Sequence, residues 1–196
     1  MSGEEKAMTE TALKVHITRL EMTAPPKVFL PVPVNLQTAL IRAVKIPLPY
    51  YRYLYQQVGH RWNWVDRLRM SDEELQAILD DERVTVTVLY VHGAPAGFFE
   101  LLRVDDETVE LSYFGLMSHA LGMGIGKWFL LQALYAAWAF TPLKVTVTTN
   151  TLDHPRALQL YQRFGFSPVS TDETELTPLS DEELAAINRR NLAISG

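Results

Sequence analysis

The chain has 196 residues, of which 47% are hydrophobic and 21% are charged, a composition typical of a protein that folds around a sizeable core. Its 18 basic and 23 acidic residues give a net charge of −5, and no basic stripe is concentrated anywhere, which argues against a nucleic-acid partner. The sequence contains no cysteine, which excludes disulfides, thiolate metal sites and thiol nucleophiles.

Neither a secretion signal nor a membrane anchor is indicated. The first residues, Met-Ser-Gly-Glu-Glu-Lys, lack the basic region and apolar core of a signal peptide. No apolar run approaches the ~20 residues that a membrane span needs. We therefore expect a cytoplasmic protein that does not associate with membranes. The length favours a single domain over 14–196, preceded by a flexible segment at 1–13.

The first part of the chain predicts a strand, an extended arm and a short helix. Alternating apolar residues indicate a strand over 14–21. Four prolines favour an extended arm over 24–34, because proline cannot donate to a ladder. Residues 36–46 are compatible with a short helix that ends at Pro47.

Helix signals recur further along. An apolar stripe at i, i+3, i+4 and i+7 predicts a helix over 51–58, with Gly59 as its stop. The string Ser71-Asp-Glu-Glu is a capping box before another helix. The same string begins again at Ser180 and predicts a C-terminal helix over 178–192.

The second half of the chain alternates strands with two helices. Three strands separated by turns form a predicted antiparallel meander, and a strongly apolar helix follows them. An amphipathic stripe after Pro155 predicts a second helix, which Gly165 ends. The predicted strands cover 84–91, 96–104, 108–117 and 144–149, with a last strand that begins at 166.

Three alternating glycines, Gly122, Gly124 and Gly126, lie between the meander and the apolar helix. Glycine permits positive φ and close approach of a ligand. The first amide groups of a helix lack internal partners and point outward. The pattern therefore predicts a site for a phosphate or a diphosphate at this turn.

Two familiar phosphate motifs do not fit this turn. A Walker loop needs Ser or Thr after Gly-Lys, but Trp128 follows Lys127, and Leu121 stands at the first glycine position. A dinucleotide fingerprint needs its third glycine one residue later and an acidic residue at the end of the next strand. That strand ends in Thr-Thr-Asn at 148–150.

Two sequence blocks instead resemble the Gcn5-related N-acetyltransferase (GNAT) superfamily over residues 84–170. The first is the loop from Leu116 to Gly126, which reads Leu-Met-Ser-His-Ala-Leu-Gly-Met-Gly-Ile-Gly. The second is His154-Pro-Arg-Ala-Leu-Gln-Leu-Tyr161-Gln-Arg-Phe-Gly-Phe, where the family commonly has Asn, then Ala, Tyr and Gly-Phe at the same spacing. The blocks occur in the family's order, separated by a helix and a strand.

The resemblance implies both a fold and an activity. The implied fold is α/β (α+β), with a mixed, mostly antiparallel central sheet, helices on both faces, and the glycine-rich diphosphate loop between strand 4 and helix 3. The implied activity is transfer of an acetyl or short acyl group from acetyl-CoA, as co-substrate, to a primary amine of a small molecule or peptide. A non-catalytic acyl-CoA-binding module on the same fold is the alternative. Residues 84–170 would bind acyl-CoA, and 14–80 would provide the first strand and the acceptor side.

The resemblance also implies which residues contact acetyl-CoA, with three departures from the family pattern. Leu121 replaces the usual Arg or Gln, Ser118 replaces a common proline, and His154 replaces a common asparagine. The diphosphate would therefore depend on backbone amides, with help from Lys127. The expected contacts are Leu116, Met117, Ser118, Leu121, Gly122, Met123, Gly124, Ile125, Gly126, Lys127, Asn150, His154 and Tyr161.

Three residues are candidates for acid–base chemistry. By resemblance, Tyr161 stands where the family tyrosine donates a proton to the CoA sulfur. Glu110 precedes Leu116 by the spacing of a catalytic glutamate in the family's histone acetyltransferases. Glu100 lies in an apolar strand, where a carboxylate needs a partner. If the turn at 105–107 has three residues, both glutamates share one face of the sheet. The other options are a water chain as the base, or no base at all.

The remaining expectations concern the acceptor, a metal and a second copy. By family analogy the acceptor site involves an aromatic segment, which favours an apolar or aromatic pocket; its members are Tyr51, Tyr55, His60, Trp62 and Trp64. The five histidines show no metal-ligand spacing, so no metal is expected. The last hairpin is incomplete after Val169, which leaves room for strand exchange in a homodimer.

Overall fold

The computed structural model describes residues 12–193 as a seven-stranded sheet with helices on both faces. The strands are β1 (Leu13–Met22), β2 (Thr38–Ala43), β3 (Val84–Val91), β4 (Ala94–Arg103), β5 (Thr108–Leu116), β6 (Lys144–Asn150) and β7 (Ser167–Leu176). The helices are α1 (Leu48–Gly59), α2 (Asp66–Arg69), α3 (Asp72–Leu79), α4 (Gly126–Trp138), α5 (Ala157–Arg163) and α6 (Asp181–Ala193). Short 3₁₀ turns cover His60–Trp62 and Ser118–Ala120.

The sheet is mixed and mostly antiparallel, as predicted. Its strand order is β2-β3-β4-β5-β6-β1-β7, and β5 and β6 form its parallel pair. The glycine loop joins β5 to α4. Across residues 12–193, no helix combines the length and apolarity needed to cross a membrane.

The prediction of a helix over 36–46 is wrong. This segment contains β2, which pairs antiparallel with β3 from Thr38 opposite Val91 to Ala43 opposite Val86. From Thr38 to Ile41 partly buried and exposed residues alternate, and Leu40 packs against the core, so one face of β2 is partly covered. Pro47 is the N-cap residue of α1; the prolines therefore begin the next helix instead of ending an earlier one.

The first strand lies far from the second in the sheet. β1 pairs antiparallel with both β6 and β7, and the proline-rich arm that follows leads to β2 at the opposite edge. The hydroxyl of Tyr135 in α4 donates to the carbonyl of Val28 in this arm at 2.7 Å. The chain's own first strand therefore fills the position beside β7 where strand exchange was predicted. A homodimer stays a prediction.

Two apolar cores form, one on each face of the sheet. One core lies under α4 and α5 and includes Phe99, Leu111 and Phe129. The other lies under α1, α3 and α6 and includes Leu54 and Phe98. Helices therefore cover both faces, as the resemblance implied.

A buried ion pair joins α1 and α2 to the sheet. Glu100 in β4 has no exposed surface, and its carboxylate accepts hydrogen bonds from Tyr51 Oη at 2.5 Å and Arg67 Nη2 at 2.6 Å. Burial alone would lower the pKa of Arg67, but the charge of Glu100 raises it above its usual value. The Arg67 guanidinium also lies over the Tyr113 ring, 5.3 Å from its centroid. The pair therefore fixes the helical layer against β4 and β5.

Removing the buried carboxylate charge is expected to destabilise the fold. Glu100→Gln leaves the Arg67 charge buried without its counter-ion, which costs about 3 to 5 kcal/mol when one partner of such a pair is lost. The matched control is Glu173→Gln, because Glu173 pairs with Lys14 at the surface, where both side chains are more than half exposed. The control should change the free energy of unfolding by less than about 1 kcal/mol. Urea unfolding of both variants checks this, and equal losses would contradict it.

Candidate functional site

The site begins where two parallel strands separate. β5 and β6 pair from Thr108 opposite Lys144 to Leu111 opposite Val147, and their pairing ends there. In β5 a bulge at Ser112 follows, since Leu101 pairs with Leu111 and Glu100 with Tyr113. Beyond the bulge β5 remains paired with β4 but no longer with β6. The edge of β5 on the side of β6 is therefore unpaired and borders an opening. A cavity of about 1200 Å³ occupies this opening.

The glycine loop forms one end of the cavity. Gly122 and Gly124 have φ of 82° and 76°, a region that side-chain-bearing residues rarely adopt. Across residues 12–193, the amides of Gly122, Gly124, Gly126 and Lys127 donate to no backbone carbonyl. Because they lie at the N-terminal end of α4, these amides offer donors and a positive partial charge to an anion.

Most of the predicted CoA contacts line this cavity. They are Leu116, Leu121, Gly122, Gly124, Ile125, Gly126, Lys127, Asn150, His154 and Tyr161. Three predicted contacts do not line it. Met117 is buried, and its amide donates to the Ala96 carbonyl at 2.8 Å. Ser118 and Met123 are exposed on the loop.

Three cations line the same cavity. They are Lys127, Arg156 and Arg163, and none of the three forms an ion pair within the described residues. Arg156 and Arg163 are not among the contacts predicted from the sequence. Arg156 is the N-cap residue of α5 and Arg163 is its last residue, and this seven-residue spacing places both on one helical face and could have identified them. These side chains and the free loop amides offer donors to an anion in the cavity.

Tyr161 lies on α5 and lines the cavity from the side opposite β5. Its side chain is only 8% exposed and contacts the Phe166 ring, with ring centroids 5.7 Å apart. Burial raises the pKa of the Tyr161 hydroxyl, and the negative charge of Asp153 raises it further. The hydroxyl therefore keeps its proton at neutral pH and can act as a donor.

Asp153 organises the turn between β6 and α5, and the sequence reading missed it. Its Oδ2 accepts hydrogen bonds from Thr149 Oγ1 and from the Asn150 amide, both at 2.9 Å. Its Oδ1 accepts from Trp64 Nε1 at 3.3 Å. Asp three residues after a strand end is a common turn signal, but its bond to Trp64 spans 89 positions. Asp153 thus joins the two walls of the cavity.

Two other residues of this turn face the cavity. Asn150 Oδ1 accepts the Leu152 amide at 2.8 Å, which leaves the side-chain NH₂ for a ligand. His154 Nδ1 accepts a hydrogen bond from the Arg156 amide at 3.1 Å. The His154 ring also packs edge-on against Trp62, with ring centroids 5.3 Å apart.

The two candidate glutamates share one face of the sheet but do not line the cavity. The amide of Val104 donates to the Thr108 carbonyl at 2.9 Å, so the turn between them has three residues. Glu100 is held by the ion pair with Arg67 described above. Glu110 is half-buried, and its Oε1 accepts a hydrogen bond from Ser112 Oγ at 2.8 Å.

Ser112 does line the cavity, so it connects Glu110 to the opening. The sequence reading missed this connection, because the bulge that turns Ser112 depends on its pairing with β4. The base role of both glutamates stays a prediction.

Three aromatic rings pack together along the cavity and are here called the aromatic wall. Its members are Tyr55, Trp64 and Tyr113, whose ring centroids are 4.9 to 5.4 Å apart. Trp62 also lines the cavity. Of the other predicted acceptor residues, Tyr51 is buried and bonded to Glu100, and His60 is exposed, with Nδ1 3.2 Å from the Gln56 carbonyl. Within residues 12–193, no three acidic or histidine side chains gather as metal ligands.

Known structures resemble this chain in fold. A conserved protein of unknown function from Staphylococcus epidermidis matches with a TM-score of 0.54 and 14% identity over 86% of this chain and 64% of its own length. A Novosphingobium aromaticivorans protein assigned to the GNAT family matches with a TM-score of 0.58 and 11% identity over 87% of this chain and 68% of its own. A GNAT family acetyltransferase from Elizabethkingia anophelis, with acetyl-CoA bound, matches with a TM-score of 0.50 and 19% identity. The match covers 68% of this chain and 78% of that protein.

These structures have low sequence identity to the chain, so they support its fold alone. Sequence comparison identifies the family. No curated protein sequence matches the chain. The sequence model of the acetyltransferase (GNAT) family, however, matches residues 49–166, which include α1, the sheet strands β3 to β6, the glycine loop and α5. The chain therefore belongs to the acetyltransferase (GNAT) family.

Proposed function

We propose that this protein transfers an acetyl, or another short acyl, group from acetyl-CoA to a primary amine by direct attack. The observation that carries the proposal is one continuous cavity that reaches the glycine loop, Tyr161 and Ser112. An anion site, a proton donor and a route to a carboxylate therefore open on the same space. Membership of the GNAT family and the acetyl-CoA bound to the Elizabethkingia anophelis protein support the same chemistry.

The cavity offers complementary groups to each part of an acyl-CoA. The diphosphate suits the free amides of the glycine loop and the side chains of Lys127, Arg156 and Arg163. The unpaired edge of β5 beyond Leu111 and the NH₂ group of Asn150 suit the amides of the pantetheine arm. Backbone donors of the loop take the place of the polar side chain that Leu121 lacks.

The chemistry needs one base and one acid besides positioning. The ammonium loses a proton through Ser112 Oγ, which passes its own proton to Glu110. The free amine nitrogen then attacks the thioester carbonyl carbon, and the carbon–sulfur bond breaks. Tyr161 donates its proton to the departing sulfur and regains one as the new amide nitrogen loses its second proton. Amide and thiol are the products.

Binding of acetyl-CoA is expected to depend on the backbone of the glycine loop. Gly124→Ala forces a side chain into a left-handed φ and shifts the amides that face the diphosphate. We expect calorimetry to show at least a fivefold higher Kd for acetyl-CoA. Gly93→Ala is the matched control, because Gly93 has a similar φ of 83°, lies in open space and belongs to the β3–β4 turn. Equal Kd values in the two variants would contradict the loop's role.

Loss of the Tyr161 hydroxyl is expected to slow the chemical step. Tyr161→Phe keeps the ring in its apolar contacts and removes the proton donor, so kcat should fall about 10² to 10⁴-fold, while the Kd for acetyl-CoA stays within twofold. Thiol release with an accepted amine measures kcat. A variant that turns over at the wild-type rate would rule out Tyr161 as the acid.

Glu110 and Ser112 are expected to act as one unit. Glu110→Gln and Ser112→Ala should each lower kcat/KM at pH 7 about 10²-fold or more, and the double variant should lose no more than either single variant. The deficit should shrink at high pH, where the amine deprotonates in solution. Rate profiles from pH 6 to 10 test this, and strictly additive losses would show that the two residues act separately.

A protein that binds acetyl-CoA but acylates no amine would instead be an acyl-CoA-binding regulatory module. Thiol release across an amine panel separates this alternative from the enzyme, since both predict binding and only the enzyme predicts turnover. No binding at sub-millimolar acetyl-CoA would contradict both.

A further inference from the structure

The acceptor end of the cavity is built from aromatic rings. Tyr55, Trp64 and Tyr113 form the wall, and each ring lies within 5.4 Å of both others. The Tyr55 side chain has no exposed surface, and it lines the cavity. Its hydroxyl is buried beside the hydroxyl of Tyr113 and the backbone of Arg67. Trp64 and Tyr113 are partly exposed, so these two rings offer the surface against which a ligand can pack.

The wall is held rigidly. Asp153 accepts the Trp64 indole N–H at 3.3 Å, and two glycines leave room around the ring. A Cβ at Gly59 would lie 2.4 Å from Trp64 Cβ, and one at Gly115 would lie 2.3 Å from Val58 Cγ1 and 3.7 Å from the Trp64 ring. The rings therefore keep their arrangement before any ligand enters, which lowers the entropy cost of packing a flat group against them.

The charge beside the wall is negative. Asp66 is exposed at the cavity and forms no ion pair within residues 12–193. Burial raises the pKa of Tyr113 to about 12, and the charge of Asp66 contributes to that rise and to the raised pKa of Tyr55. The carboxylate therefore acts on both hydroxyls.

Two arginines near the wall are already paired. Arg67 is bound to Glu100, at 2.6 Å. Arg69 donates to Glu183 at 3.1 Å and to the carbonyls of Thr177 and Pro178 at 2.9 Å. The Asp66 carboxylate, unpaired within residues 12–193, therefore offers a charge partner to a cation beside the wall, whereas the amides of the glycine loop offer donors to an anion.

We infer that the acceptor is an arylalkylamine-type substrate, a primary amine joined by a short linker to a flat aromatic group. The group packs against the partly exposed Trp64 and Tyr113 rings of the aromatic wall, and Asp66 attracts the ammonium form. A polyhydroxylated polycation would leave the wall without an apolar partner. The inference rests on the proposed acetyl transfer and narrows it to a substrate class.

An amine panel at saturating acetyl-CoA tests the inference. Tryptamine and phenylethylamine should have kcat/KM at least tenfold above butylamine, because only the first two bury an aromatic group against the wall. Spermidine, kanamycin and a short peptide with a free N-terminus should fall below tryptamine by the same factor. Equal or higher values for any of these three, or for butylamine, would overturn the substrate class.

Two variants test whether the preference for aromatic amines depends on the aromatic wall and on Asp66. Tyr113→Leu should reduce the tryptamine-to-butylamine ratio to below threefold, a readout that a general loss of stability does not produce. Asp66→Asn should raise the KM for tryptamine about fivefold and leave the KM for acetyl-CoA unchanged. Asp106→Asn, an exposed acid in the β4–β5 turn, is the matched control and should change neither. An unchanged ratio and unchanged KM values in the first two variants would overturn the assignment of the wall.

Different experimental results would contradict this inference and the proposed function. If thiol release is fast with polyamines or peptides and slow with arylalkylamines, acetyl transfer stands and the substrate class is wrong. If calorimetry shows no binding of acetyl-CoA, or no amine in the panel accelerates thiol release, the proposed function fails and this inference fails with it.

Discussion

The separation of β5 from β6 after Leu111 and Val147 is the constraint on which the site depends. While the two strands pair, their edges are satisfied and no ligand can enter between them. The bulge at Ser112 keeps β5 paired with β4 while its other edge is freed. Because α4 follows β5 and α5 follows β6, the glycine loop and Tyr161 both come to line the opening.

The position of the aromatic wall depends on the buried charge of Glu100. Glu100 holds Arg67, and Arg67 lies over the Tyr113 ring, so the aromatic wall and the helices around it share one buried anchor. Replacing such a pair with apolar groups is often neutral, whereas breaking it is costly. The anchor therefore fixes where the helical layer sits on the sheet, beside the aromatic wall.

Local patterns were readable from the sequence, and non-local ones were not. Alternating glycines predicted the loop, because positive φ at Gly122 and Gly124 is a property of single residues. The segment 36–46 was read as a helix because a short apolar run is ambiguous, and only pairing with β3 makes it a strand. The contact of Asp153 with Trp64 and the bulge at Ser112 arise from tertiary pairing, so no spacing rule indicates them.

The distribution of charge along the cavity explains how an acidic chain can serve a polyanionic ligand. The net charge of −5 would by itself disfavour CoA, which carries several phosphate charges. Charges farther apart than the screening length of about 8 Å at physiological salt contribute little, so the local set dominates. Lys127, Arg156, Arg163 and Asp66 all line the cavity. In the proposed reaction the three cations would act on the diphosphate and Asp66 on the ammonium, so local charges of both signs would serve the two ligands in one space.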